Sequence, residues 1–118
     1  MEVSEMNLAD GEYTVEVTME GGSGRASIQS PTELTIENGQ AQAEIVWSSS
    51  HYDYMMVNGD KYLPVNTEGN STFEIPVSVF DEPMTVIGDT TAMSVPHEVE
   101  YTLTFASESV ASVQSSGG

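Results

Sequence analysis

The chain has 118 residues and a mass of 12.7 kDa, the length of one domain, since a second core of ordinary size needs about 100 residues of its own. Nineteen Asp and Glu stand against Arg25 and Lys61 alone, a formal charge of −17. Such a surface repels phosphate, which makes nucleic acid and anionic membranes poor partners. There is no cysteine, which removes disulfides, thiolate metal sites and cysteine nucleophiles together.

The N-terminus MEVSEMNLADGEY lacks the basic and apolar blocks of a signal peptide, and no apolar run approaches the roughly 20 residues of a membrane span. From Tyr13 the positions Tyr13, Val15, Val17 and Met19 are apolar, while Glu12, Thr14, Glu16 and Thr18 are polar. That alternation predicts one half-buried strand. Gly21, Gly22 and Gly24 then break the chain, and a short strand is expected over Ala26–Gln29 before Pro31. Leu34 and Ile36 alternate with acids up to Asn38-Gly39, the dipeptide favoured by a type I′ hairpin turn. The return strand places Ala41, Ala43, Ile45 and Trp47 on one face, with Trp47 as the expected core anchor.

The run Tyr52–Val57 is apolar on both faces and reads as an interior strand. Tyr62, Leu63 and Val65 follow with Pro64, and Phe73, Ile75, Val77 and Val79 follow with Pro76. A proline cannot donate to a ladder, so both segments belong on edges. Met84–Ile87 predicts another short strand. The last strand carries His97, Val99, Tyr101, Leu103 and Phe105 on one face, with Glu98, Glu100, Thr102 and Thr104 on the other. No helical periodicity is sustained. The fold class is therefore all-β, an immunoglobulin-like antiparallel β-sandwich of seven or eight strands. The domain is expected over 1–106, followed by a polar tail over 107–118 that is disordered beyond about Ser109.

The pattern points away from an enzyme. Ser48, Ser49 and Ser50 lie beside His51, but neighbours on a turn do not make a triad, and no strand-to-helix elbow presents a serine. Calcium finds hard oxygen ligands in Asp53, Asp60, Glu68, Asp81 and Asp89, without EF-hand spacing. Met93, His97 and Tyr101 are four residues apart, so they share a face if the last strand begins that early. A thioether, an imidazole and a phenol can each bind haem iron, and Val95, Val99, Tyr54 and Met56 offer apolar surface for a porphyrin. The same Met and Tyr are equally the residues of an ordinary sandwich interior.

The order of the segments LADGEYTVEV (Leu8–Val17), PTELTIENGQAQAEIVW (Pro31–Trp47), SSSHYDYMMVNG (Ser48–Gly59) and HEVEYTLTF (His97–Phe105) resembles the NEAT family, the near-iron-transporter domains of Gram-positive cell surfaces. The resemblance implies a β-sandwich that takes up haem against its last β-hairpin. In the family a Y-x-x-x-Y motif on the final strand supplies the iron-ligating tyrosine and a second, supporting one. The matching positions here are His97 and Tyr101, so histidine replaces the first tyrosine. The resemblance thus implies iron ligation by Met93 or His97, support from Tyr101, and a propionate contact from Arg25, with Met55 or Met56 as a further thioether. It implies a monomeric, extracellular or cell-surface domain whose partners are haem or haem-carrying proteins. Two other readings stand beside it: a structural or adhesive immunoglobulin-like spacer without ligand, and a calcium-stabilised surface module.

Overall fold

A computed structural model describes residues 2–22, 27–66, 68–91 and 97–113. Among the described residues ten strands form two five-stranded antiparallel sheets. The first sheet runs β10 (Ala111–Ser112), β1 (Gly11–Val15), β3 (Thr32–Glu37), β4 (Gln40–Val46), β7 (Thr72–Val77). The second runs β2 (Val17–Gly21), β9 (His97–Phe105), β8 (Met84–Thr90), β5 (Tyr52–Val57), β6 (Asp60–Tyr62). Among the described residues the only helical turns are two short 3-10 segments, Val3–Met6 and Ser107–Ser109, and no helix is long and apolar enough to cross a membrane.

The strand count exceeds seven or eight because the expected first strand is two. Val15 pairs with Thr32 in one sheet and Val17 with Phe105 in the other, so the chain changes sheets at Glu16. The backbone of Glu16 is satisfied from outside either ladder: its N–H donates to Ser109 Oγ at 2.7 Å, and its carbonyl accepts from Ala106 N–H at 3.0 Å. Val15 and Val17 are both buried on the way. The same contacts correct the expected tail. Residues 107–113 are ordered, since Ser107–Ser109 forms a 3-10 turn and Ala111–Ser112 pairs with Thr14 and Tyr13. Composition alone hides this, because a polar segment becomes ordered when a neighbouring strand leaves backbone groups unpaired. Residues 114–118 lie outside the described residues.

Alternation dictates the rest of the core. Leu34, Ile36, Ala41, Ala43, Ile45, Phe73, Ile75 and Val77 from the first sheet meet Met55, Val57, Val86, Tyr101, Leu103 and Phe105 from the second. Trp47 is 1% exposed and anchors this core as its sequence position predicts. The Asn38-Gly39 turn has φ of 53° and 77° at its two central residues, the paired positive values that a type I′ hairpin requires. The strand expected over Ala26–Gln29 contracts, among the described residues, to a single bridge between Ile28 and Trp47. β8 extends past Ile87 to Thr90.

Pro76 sits in β7, an edge strand of the first sheet, whereas the strand expected through Tyr62, Leu63 and Val65 ends at Tyr62 and leaves Pro64 outside it. Thr72 directs its N–H to Asn66 Oδ1 and its carbonyl to Val65 N–H, so even positions of β7 turn their backbone groups away from β4. Pro76 therefore aims its missing donor at the open edge of the sheet, where it blocks pairing with another strand.

One irregularity positions the site. The β5–β8 register shifts between Tyr52 and Tyr54, a bulge at Asp53. Bulges re-aim side chains by one step of the pleat. Tyr52, Met55 and Val57 accordingly point into the sandwich, whereas Tyr54 and Met56 lie on the outer face.

Candidate functional site

The β8–β9 hairpin and the end of β2 converge at one end of the sandwich. At the hairpin's root Thr90 pairs with His97 and Asp89 with Glu98. Thr91 ties this root to the start of β5, donating to the His51 carbonyl from its N–H at 2.6 Å and from its Oγ1 at 3.1 Å. Met93 and Val95, in the connection from Thr91 to His97, lie outside the described residues, as does Arg25, which follows Gly22 by three positions.

Between these two margins the inner face of β9 supplies the floor. His97 is exposed, Val99 half-buried and Tyr101 buried, in that order along one face. The Tyr101 phenol lies 3.1 Å from the Tyr52 hydroxyl. Tyr52 stacks on Trp47 with ring centroids 3.9 Å apart, and Trp47 meets Tyr101 edge-on at 5.2 Å. Glycines admit this packing. A Cβ on Gly88 would stand 3.2 Å from Trp47 Cζ2, and one on Gly22 would stand 2.8 Å from Tyr101 Cε1. Burial, and then the hydrogen bond with Tyr101, push the Tyr52 phenol above the ordinary phenol range. Among the described residues Trp47 Nε1 is buried with no hydrogen-bond partner, a donor of the kind that native interiors seldom leave unmet.

Tyr54 and Met56, expected to share a porphyrin surface with Val99, do not join it. The Asp53 bulge places them on the outer face, with the sheet between them and Tyr101. There Tyr54 donates to Glu98 Oε2 at 2.5 Å, and Lys61 Nζ lies 4.4 Å from the Tyr54 ring centroid. Met56 is flanked by Ile87 and Lys61. Met55 is fully buried in the core.

The outer face carries the strained electrostatics. Asp89 is 3% exposed. Its carboxyl is pushed up to about 6, first by a hydrogen bond with Asp53, then by burial and the charges of Asp53 and Glu98. The hydrogen bond to Glu98 is the largest influence pushing the Tyr54 phenol up to about 12. On the other sheet Glu44 is raised to about 7 by its hydrogen bond with Glu33, then by burial and the charges of Glu33 and Glu74. Among the described residues no group of three or more His, Cys, Asp or Glu is placed to hold a metal ion. Asp81 instead caps the C-terminal segment, accepting from Ser107 N–H at 2.9 Å and Ser107 Oγ at 2.5 Å.

At this end the structure brings Val99, His97 and Tyr101 together with Tyr52, Gly22 and Gly88, which alternation alone does not single out. A signal for Gly88 existed, because an isolated glycine inside a strand marks a close approach by another group. Tyr52 carried none, since its inward direction depends on the bulge.

No protein-family model matches the sequence, and no curated protein matches it at a significant level. Among solved structures the fold matches the NEAT5 domain of IsdX2, a B. anthracis hemophore, in complex with haem. The TM-score is 0.66 with 14% identity, over 82% of this chain and 96% of that one. A mutant of the same domain, also in complex with haem, matches with a TM-score of 0.67 and 15% identity, over 83% of this chain and 96% of that one. At this identity the likeness concerns architecture: the sandwich has the NEAT-domain fold.

Proposed function

We propose that this domain is a non-enzymatic haem-binding module for iron acquisition, with haem as its cargo at the β8–β9 hairpin end. The observation that carries the reading is the aromatic floor of Tyr101, Tyr52 and Trp47. It lies between the hairpin and the Gly21–Gly22 end of β2, in a fold whose solved neighbours, the IsdX2 NEAT5 structures, contain haem. A compact aromatic cluster behind the hairpin suits a macrocycle that is apolar across its face.

Met93 or His97 would ligate the iron, Tyr101 would support the ligand from the floor, and Val99 would form part of the wall. Arg25 would meet a propionate. The formal charge of −17 opposes a dianionic ligand, so apolar contact and iron ligation carry the affinity. Tyr54 and Met56 take no part. The reading places the domain outside the cell or on its surface, as a monomer exchanging haem with haem-carrying proteins.

Hemin added to the purified domain should give a saturable, shifted Soret band that is lost in a Met93→Ala, His97→Ala double variant. A titration that returns only the spectrum of free hemin overturns the reading.

A further inference from the structure

We infer that Tyr52, on β5, is a positioning residue of this site, acting through its hydroxyl contact with Tyr101. The inference rests on the haem-binding reading. With histidine at position 97, the residue four before Tyr101 brings no phenol, yet the Tyr101 oxygen still has a phenolic partner, supplied from across the sheet. That partner is held on every side. Tyr52 is 6% exposed and lies flat on Trp47 at an interplanar angle of 18°. Its N–H donates to Ser71 Oγ at 3.1 Å, and the Asp53 bulge turns its ring inward.

A phenol has one proton to donate and two lone pairs to accept with. Either hydroxyl can donate across this 3.1 Å contact, and in both cases the fixed Tyr52 oxygen limits the directions open to the Tyr101 O–H. In the arrangement where Tyr52 donates, the Tyr101 proton is left for a group entering at the hairpin end. Gly22 packs against one side of the Tyr101 ring and Trp47 meets it edge-on from another. The directions open to the Tyr101 O–H are thus limited by Tyr52, a residue that need not touch the ligand.

The test is a double-mutant cycle with Tyr52→Phe and Tyr101→Phe, titrated with hemin and read by Soret position as well as by Kd. Tyr52→Phe keeps the ring on Trp47 and removes only the oxygen. It should raise the hemin Kd by about tenfold and shift the bound spectrum, with a near-wild-type Tm. The double variant should be no weaker than Tyr101→Phe alone, because Tyr52 acts through Tyr101. If wild type binds and Tyr52→Phe binds with the same Kd and spectrum, the positioning role is overturned while the haem reading stands. Additive effects, or a Tyr52→Phe variant that unfolds, overturn it too, the second by assigning Tyr52 to the core. If wild type gives only free-hemin spectra, both fall together.

Discussion

Gly22 packs directly on Tyr101: a Cβ at Gly22 would stand 2.8 Å from Cε1 and 3.3 Å from the hydroxyl oxygen of that ring. The contact explains why a glycine pair ends β2. Gly21 must pass close to the β9 backbone, where its Cβ would meet the Glu100 carbonyl oxygen at 2.6 Å, and Gly22 must then turn with φ of +65° over the phenol.

Gly22→Ala therefore meets two costs, the left-handed backbone and the displaced ring, and should destabilise the domain by about 1–3 kcal/mol. Gly39→Ala is the internal control. Its φ is +77° and nothing lies within 4 Å of the added Cβ, so it should cost only the backbone strain of about 1 kcal/mol. Urea denaturation of both variants isolates the Tyr101 contact as the difference. Equal losses would show that Gly22 does not constrain Tyr101.

The Asp53 bulge makes a sharp prediction about adjacent methionines. Met55 is fully buried, and Met55→Ala should cost about 2–5 kcal/mol through lost burial and the cavity left behind. Met56 lies on the outer face beside Lys61, and Met56→Ala should cost under about 1 kcal/mol. Chemical denaturation distinguishes the two directly. A reversed order would place the register shift elsewhere in β5.

Stability should rise on mild acidification. Glu44 is raised from 4.5 to about 7 and Asp89 from 3.8 to about 6, so folding favours their protonated forms. Their contribution is complete below the unfolded values and is lost as pH climbs through about 6 to 7. Asp81 works in the opposite sense. Its carboxyl is lowered by the Ser107 hydrogen bonds, so its contribution is present above the ordinary carboxyl range and disappears as pH falls below it. Tm should accordingly be higher at pH 5 than at pH 8 and fall again in stronger acid. Glu44→Gln should flatten the slope near neutrality, separating this pair from the general repulsion of the charge. A Tm that climbs steadily from pH 5 to pH 8 would contradict the assignment.

Much of this architecture is legible in residue order because alternation is a local signal. Leu34 and Ile36, Ala41 to Trp47, and Tyr101 to Phe105 each declare one buried face within a few residues, and Asn38-Gly39 declares the turn that joins two of them. The candidate site is less legible. Val99 and Tyr101 follow from strand period, whereas the company they keep does not. Tyr54 and Met56 share the parity of Tyr52, and only a one-residue bulge sends them to the opposite face.

The amino-acid sequence by itself determined that this chain is an acidic, cysteine-free, all-β domain with Pro76 on an edge strand and a histidine four residues before Tyr101. Those properties depend on composition and on contacts between near neighbours. Tertiary structure alone decided that the chain changes sheets at Glu16, that residues 107–113 complete the first sheet, and that Tyr52 reaches Tyr101 across 49 positions of sequence. Each of these is a pairing between distant segments, set by which backbone groups remain unsatisfied and which ring fits beside which glycine. No local pattern encodes them.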